Sequence, residues 1–290
     1  ICGGKGKTSR KTPDQILDWG GRLNLGESHT NALVYNSRMS AKVDSSLVQD
    51  GFQLYHHCFF FTKNGAWTVV QQGMNPSTSS EPMARRYHWH SESAKDLVCE
   101  PHAGIASQVK IKNVLNLTAA SGGKNREIST ELVTRNGFQT LMKDLRIISA
   151  HVTPHSQMLA IAAGQQTFKF LNLLDRDFTI HPVVEENFAE SRYLQKILWQ
   201  LCDKKPENYE KLLSIEGVGP KTMRALALVA EVIYGAKPTY EDPARYSFAH
   251  GGKDAIPYPV DRPTYDRTIK ILGEYVRRTK LPALEKDKIQ

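Results

Sequence analysis

No apolar run in the 290 residues approaches the eighteen or so needed for a helical membrane span, and no signal peptide is visible. A role inside a bilayer is therefore not expected. Cysteine is scarce. Cys2, Cys58, Cys99 and Cys202 stand far apart, with no pair at metal or redox spacing, so they read as buried thiols of a reducing cytoplasm. Nucleotide-binding P-loop spacing is also missing: ICGGKGKTSRKT is rich in Gly and Lys but does not match it. The chain opens on Ile1 rather than Met, so it is expected to be a fragment or a processed product.

Positive charge is in excess. The net charge is +8 and the pI about 9.2, without a single polybasic tail, which suits an acidic partner and above all nucleic acid. The most legible stretch is Leu212 to Gly235. A short apolar helix end (Leu212, Leu213, Ile215) runs into Gly217-Val218-Gly219, and Pro220 opens a second helix. Glycines at such a turn let an anion approach the main chain, where the amide N–H groups and the positive helix end face it. Gly217, Gly219, Lys221 and Thr222 thus form the pattern of a helix-hairpin-helix, which grips nucleic-acid backbone without reading sequence. The ordinary structural reading is a helical hairpin with a glycine turn.

Around it the chain reads as two domains, residues 1–184 and 185–290. The first is mixed. Lys5 and Lys7 sit in the basic start, which either wraps a phosphate or is a solvated terminus. A short helix, Gln15 to Trp19, should close at Gly20-Gly21, and a longer one should run from His29 to Leu47. From Phe52 the period changes to two, and Gly65 turns the chain back into Ala66–Gln72, a β-hairpin signal. Unbroken alternation would put Phe52, Leu54, His56, Cys58 and Phe60 on one face, and Gln53, Tyr55, His57 and Phe59 on the other. Beyond it come a short strand near Leu115–Thr118, a loop at Ser121–Arg126 and a helix from Ile128 to Leu145.

Asp44 and Asp50 precede this hairpin, and His57 and Gln72 lie on it. Phosphodiester cleavage needs a divalent ion on hard oxygen ligands, with an imidazole and a group that orients water. Asp44, Asp50 and His57 are the residue types for holding magnesium or manganese, and Gln72 for positioning water or a phosphate oxygen. Singly, they read as a surface carboxylate, a helix cap and a sheet histidine. Arg85 and Arg86 beside Tyr87, His88 and Trp89 mix cations with rings, as phosphate- and base-binding segments do. His88 and His90 would share a strand face, and Glu100-Pro101-His102 pairs acid with imidazole.

The second part reads as helical from Glu185, with Leu194, Ile197, Leu198 and Leu201 on one face. Asp242-Pro243 reads as an N-cap with proline at the first helical position, and His250 and Lys253 lie in a second Gly-rich basic loop. The last helix, Pro263 to Lys280, should bury Tyr265, Ile269, Leu272 and Val276 and carry Arg267, Lys270, Arg277, Arg278 and Lys280 opposite.

The stretches ICGGKGKTSRKTP, SAKVDSSLVQDGFQLYHHCFFFT, WTVVQQGMN, ARRYHWHSE, EPHAGI, LLSIEGVGPKTMRALALVAEVIYG and DPARYSFAHGGKDAIPYPV together resemble domain-of-unknown-function family 763, a prokaryotic family. The resemblance implies DNA processing and little mechanism. It draws attention to Lys5, Asp44, Gln49, Asp50, His57, Gln71, Gln72, Arg85, Arg86 and His88, and to His57 over His56. Members usually carry a further segment ahead of the part matching Cys2-Gly3-Gly4-Lys5, which implies that a composite active site would be incomplete in this chain. The hairpin alone is similar to that of endonuclease III-like glycosylases, with Lys221 at the place of their catalytic lysine. Asp242 departs from their spacing, and their four-cysteine cluster motif is missing.

The expectation is thus an α+β protein that binds DNA through backbone contacts, foremost as a metal-dependent nuclease acting on damaged or branched DNA. A glycosylase or AP lyase using Lys221 and a non-catalytic DNA-structure binder are the alternatives. The oligomeric state is left open, a homodimer included.

Overall fold

A computed structural model of the chain describes residues 1–75, 83–107, 109–151, 188–246 and 262–279. Strand β1 (Cys2–Lys5) and a 3-10 turn (Gly6–Lys11) lead into helices α1 (Thr12–Arg22) and α2 (Glu27–Ser46). The two-residue strand β2 (Val48–Gln49) precedes β3 (Gln53–Phe61), β4 (Trp67–Asn75), β5 (Met83–His90) and β6 (Gly104–Ser107). β7 (Leu115–Asn116) pairs with β2. Helix α3 (Gly123–Glu131) passes through a π turn (Leu132–Asn136) into α4 (Gly137–His151). Then come α5 (Arg192–Lys204), α6 (Tyr209–Ser214), α7 (Pro220–Val232) and α8 (Arg262–Arg278). The class is α+β, with an antiparallel sheet in the order β1-β3-β4-β5-β6.

Alternation builds the sheet. Along β4 every second residue is buried, so Trp67, Val69, Gln71, Gly73 and Asn75 face inward. Arg85, Tyr87 and Trp89 of β5 pair with Gly73, Gln71 and Val69 and share that face. Helix α2 packs on it with Leu33, Val43 and Leu47, but also with the buried polar residues Ser37, Ser40 and Asp44. The expected face pattern of β3 needs correction. A β-bulge lies between Leu54 and His56: Leu54 pairs with Gly73, whereas His56 pairs with Gln72 and His57 with Gln71. Leu54 therefore shares the inner face with His57 and Phe59, and Gln53 shares the outer face with His56 and Cys58.

Three helix expectations also change. α1 continues through Gly20 to Arg22, because Gly20 packs against Thr30 instead of ending the helix. The helix expected over Ile128–Leu145 is α3 and α4 joined by the π turn, and α3 reaches back to Gly123 into the expected loop. Asp242 starts no helix among the described residues. Its Oδ1 accepts the Ala244 N–H at 2.9 Å, a local turn, while the carboxylate faces Arg85.

Residues Ile1–Arg245 form one compact unit and Tyr246–Gln290 a second. The expected boundary at 184/185 falls outside the described residues, and the described residues on both sides of it share one hydrophobic core, from Cys2 and Ile16 to Val232 and Ala236. In the second unit, α8 leaves Ile269 and Leu272 exposed at 53% and 57%, contrary to the expected burial. No helix among the described residues is long and apolar enough to cross a membrane.

One polar side chain joins the helices. Asn125 of α3 is fully buried and donates through Nδ2 to Ala227 O at 3.0 Å and Ala236 O at 2.7 Å. Asn125→Leu removes both buried hydrogen bonds and takes the Asn125 donor from the Ala236 carbonyl. It should cost roughly 1–3 kcal/mol, read as a lower urea midpoint with an unchanged slope.

Candidate functional site

Polar positions of the inner sheet face meet the polar stripe of α2. Asp44 Oδ2 accepts from Gln71 Nε2 at 2.5 Å and Trp89 Nε1 at 3.0 Å, and Asp44 Oδ1 lies 2.5 Å from His102 Nε2. Gln71 Nε2 also donates to Ser40 O at 3.1 Å. Its Oε1 is thereby turned to His57 Nδ1, 2.8 Å away, and His57 Nε2 meets Ser37 Oγ at 2.9 Å. Burial lowers the His57 pKa, against the Gln71 bond and the Asp44 charge, so the ring is neutral at neutral pH.

Asp50 belongs to a separate network. Its carboxylate accepts from Arg85 Nη1 at 2.9 Å, Tyr87 Oη at 2.7 Å and the Phe52 N–H at 3.0 Å. Arg85 also pairs with Asp242, Nη1 to Oδ1 at 2.9 Å and Nη2 to Oδ2 at 2.8 Å. Burial raises the Asp50 pKa, while Arg85, Tyr87 and the Phe52 N–H oppose the rise. Arg85, expected on a DNA phosphate, is corrected by this geometry: its side chain is 0% exposed and held between two carboxylates.

The expected metal ligands are not brought together. Asp44 and Asp50 face N–H and O–H donors rather than a shared cavity, and His57 faces a hydroxyl and an amide. Among the described residues no group of three His, Cys, Asp or Glu side chains is placed to hold a metal ion. A divalent ion does not fit Asp44, Asp50 and His57 as they stand. Gln72, expected beside them, is on the opposite face of the sheet.

That outer face gathers other expected residues. Pairing register sets Lys5, His56, Gln72, Arg86 and Ala106 in one row across five strands. Cys58, Val70 and His88 form the adjacent row. Lys5 and Arg86 are exposed, and Lys5 Nζ sits 5.8 Å above the Tyr55 ring. Burial and the neighbouring Arg86 charge lower the His88 pKa. Lys7 is exposed on the 3-10 turn that follows β1.

The glycine turn between α6 and α7 is held from several sides. Gly217 has φ +84°, and a Cβ there would lie 2.4 Å from Ile197 Cδ1. Tyr193 Oη donates to Gly217 O at 3.0 Å, and Lys42 Nζ donates to Ile215 O at 2.6 Å. Burial pushes the Lys42 pKa down to about 8, with Glu216 opposing. Gly219 is the N-cap of α7 at φ −148°, without a side-chain cap. Pro220 is exposed and Lys221 half-buried. Thr222, expected to contact DNA, is 1% exposed, and its side chain is not presented at the surface. Gln49 ties this turn to the sheet side, donating to Pro220 O at 3.0 Å and accepting from Arg224 Nη1 at 2.8 Å. His250 and Lys253 lie outside the described residues.

Ser37 went unnoticed in the sequence. Its signal is the i, i+3, i+7 spacing of Ser37, Ser40 and Asp44, polar residues on the buried side of α2.

Two outcomes follow from these networks. Arg85→Leu removes the guanidinium between two buried carboxylates and should destabilise the fold by roughly 3–5 kcal/mol, measured by urea unfolding. For His57 the folded pKa is depressed below the ordinary value of 6.5. Its contribution to stability is therefore present above pH 6.5 and is lost as pH falls through the folded pKa. Unfolding free energy measured from pH 7.5 downward should decline below about pH 6.5, and less steeply in His57→Gln.

No curated protein and no solved structure matches the chain. A family model does, over residues 1–260, and its description is "Protein of unknown function (DUF763)". The chain belongs to that family.

Proposed function

We propose that the chain is a DNA-processing protein that holds the phosphate backbone without reading base sequence. The observation that carries this reading is Gly219. Gly217 is needed inside the molecule, for its positive φ and for the room it leaves Ile197. Gly219 has no such internal reason. Its φ of −148° is open to any residue, and an added Cβ would meet nothing within 4 Å. The space left by its missing side chain opens outward, beside the first turn of α7.

That turn supports the reading further. Pro220 has no N–H and Thr222 is buried, so the amides of Gly219 and Lys221 are those at the surface that α7 does not pair internally. They suit an anion together with the positive helix end and the Lys221 ammonium. Glu216, exposed in the same turn, works against it. The net charge of +8 and the outer row of Lys5, His56, Gln72 and Arg86 offer a second surface of the same sign. Sequence independence follows because main-chain amides and lysine address phosphates, not base edges. Cleavage through a metal at Asp44, Asp50 and His57 forms no part of the proposal.

Fluorescence anisotropy with two duplexes of unrelated sequence tests it. Gly219→Ala should leave the melting temperature unchanged and weaken both duplexes equally. Lys221→Ala should also weaken both and reduce the slope of log affinity against log salt by roughly 0.9. Unchanged affinity in both folded variants would remove this turn from DNA binding.

A further inference from the structure

Serine hydroxyls inside helices commonly return to a backbone carbonyl one turn back. Ser40 does this, donating to Ser37 O at 3.0 Å. Ser37 instead sits with Oγ 2.9 Å from Nε2 of His57. The far side of the ring gives that bond its direction. Gln71 commits its amide nitrogen to Ser40 O and Asp44 Oδ2, which leaves Oε1 for His57 Nδ1. Nδ1 therefore carries the hydrogen, Nε2 offers a lone pair, and Ser37 is the donor. Hydroxyl, imidazole and orienting amide stand in the order that a base-activated nucleophile requires.

Ser37 and His57 are 2% and 7% exposed. Both line an open pocket of about 250 Å³. Its walls include Pro13, Ala41 and Leu54, and its cations are Arg10 and Arg38. Both arginines are exposed, and neither makes an ion pair among the described residues. Thr12 and Pro13 of α1 border the same space. Apolar walls, two unpaired guanidinium groups and an oriented hydroxyl suit an ester with an anionic head.

We propose that Ser37 is a nucleophile toward phosphate esters, with His57 as its base and Arg10 and Arg38 holding the phosphoryl oxygens. In the first step Ser37 Oγ bonds to phosphorus, the ester P–O bond breaks, and the Ser37 proton passes to Nε2 and on to the departing alkoxide. In the second, water gives its proton to Nε2 and bonds to phosphorus. The Oγ–P bond then breaks, phosphate leaves, and Ser37 regains the proton. Gln71 Oε1 accepts from Nδ1 throughout. The assignment does not depend on DNA binding at the α6–α7 turn, which uses none of these residues.

Diisopropyl fluorophosphate tests it on the chain as it stands. One phosphoryl adduct is expected, located at Ser37 by peptide mass spectrometry, with fluoride released. Ser37→Ala should abolish the adduct, and His57→Gln should slow its formation roughly 100-fold. His57 is part of a buried network, so Ser37→Cys supplies a second measure that leaves the network in place. The thiol at position 37 should react with iodoacetamide faster than Cys2, Cys58, Cys99 and Cys202. Phenyl phosphate and a 5′-phosphorylated dinucleotide are added as competitors, and the better protector tells a small ester from a strand end. Arg10→Ala and Arg38→Ala should remove the protection. A folded chain without an adduct at Ser37 overturns the nucleophile, and labelling that neither competitor slows overturns the phosphate class.

Discussion

Two carboxylates, Asp50 and Asp242, lie beside one buried guanidinium, and much of the first unit depends on that arrangement. Isolated burial of any one of these charges would be prohibitive, so each is tolerable only in the presence of the others. The three come from distant parts of the chain: the loop after α2, the middle of β5 and the stretch beyond α7. Their pairing ties that last stretch to the sheet. It accompanies the shared core of Ile1–Arg245, where the sequence pattern had suggested two domains. Tyr87 and the Phe52 N–H complete the shell around Asp50.

The sheet then separates two kinds of chemistry. Its inner face holds Asp44, Gln71, His57 and Ser37 in a directed hydrogen-bond chain under α2, largely away from water. Its outer face carries Lys5, His56, Gln72, Arg86 and His88 in two adjoining rows. Residues that neighbour one another in sequence, such as Arg85 and Arg86, thus serve opposite surfaces. Strand β5 supplies a buried arginine and an exposed one at successive positions.

Local chemistry was legible in the sequence wherever it closes within a few residues. The β3–β4 hairpin follows from alternation and Gly65, and the α6–α7 hairpin follows from Gly217, Gly219 and Pro220. What depends on distant partners was not. Nothing near Asp44 announces Trp89 or His102, and nothing near Arg85 announces Asp242. Two buried carboxylates therefore read as metal ligands, and a buried arginine as a phosphate contact. Gln72 reads in the sequence as a neighbour of His57 because the bulge and register that pair His57 with Gln71 are set by backbone geometry rather than by residue type. Ser37 had no motif at all, since a serine between Leu33 and Met39 becomes informative only once His57 is seen across from it.

The bulge at Tyr55 acts as a phase setter for this part of the chain. One extra residue lets Leu54 and His57 point the same way although an odd number of positions separates them. A chain one residue shorter there would exchange the two faces upstream, moving Leu54 into the row of cations and Gln53 into the core. Relatives aligned to this chain should therefore preserve the count between Asp50 and His57 more strictly than the letters, and gaps in that interval would mark members whose inner hydrogen-bond chain is wired differently.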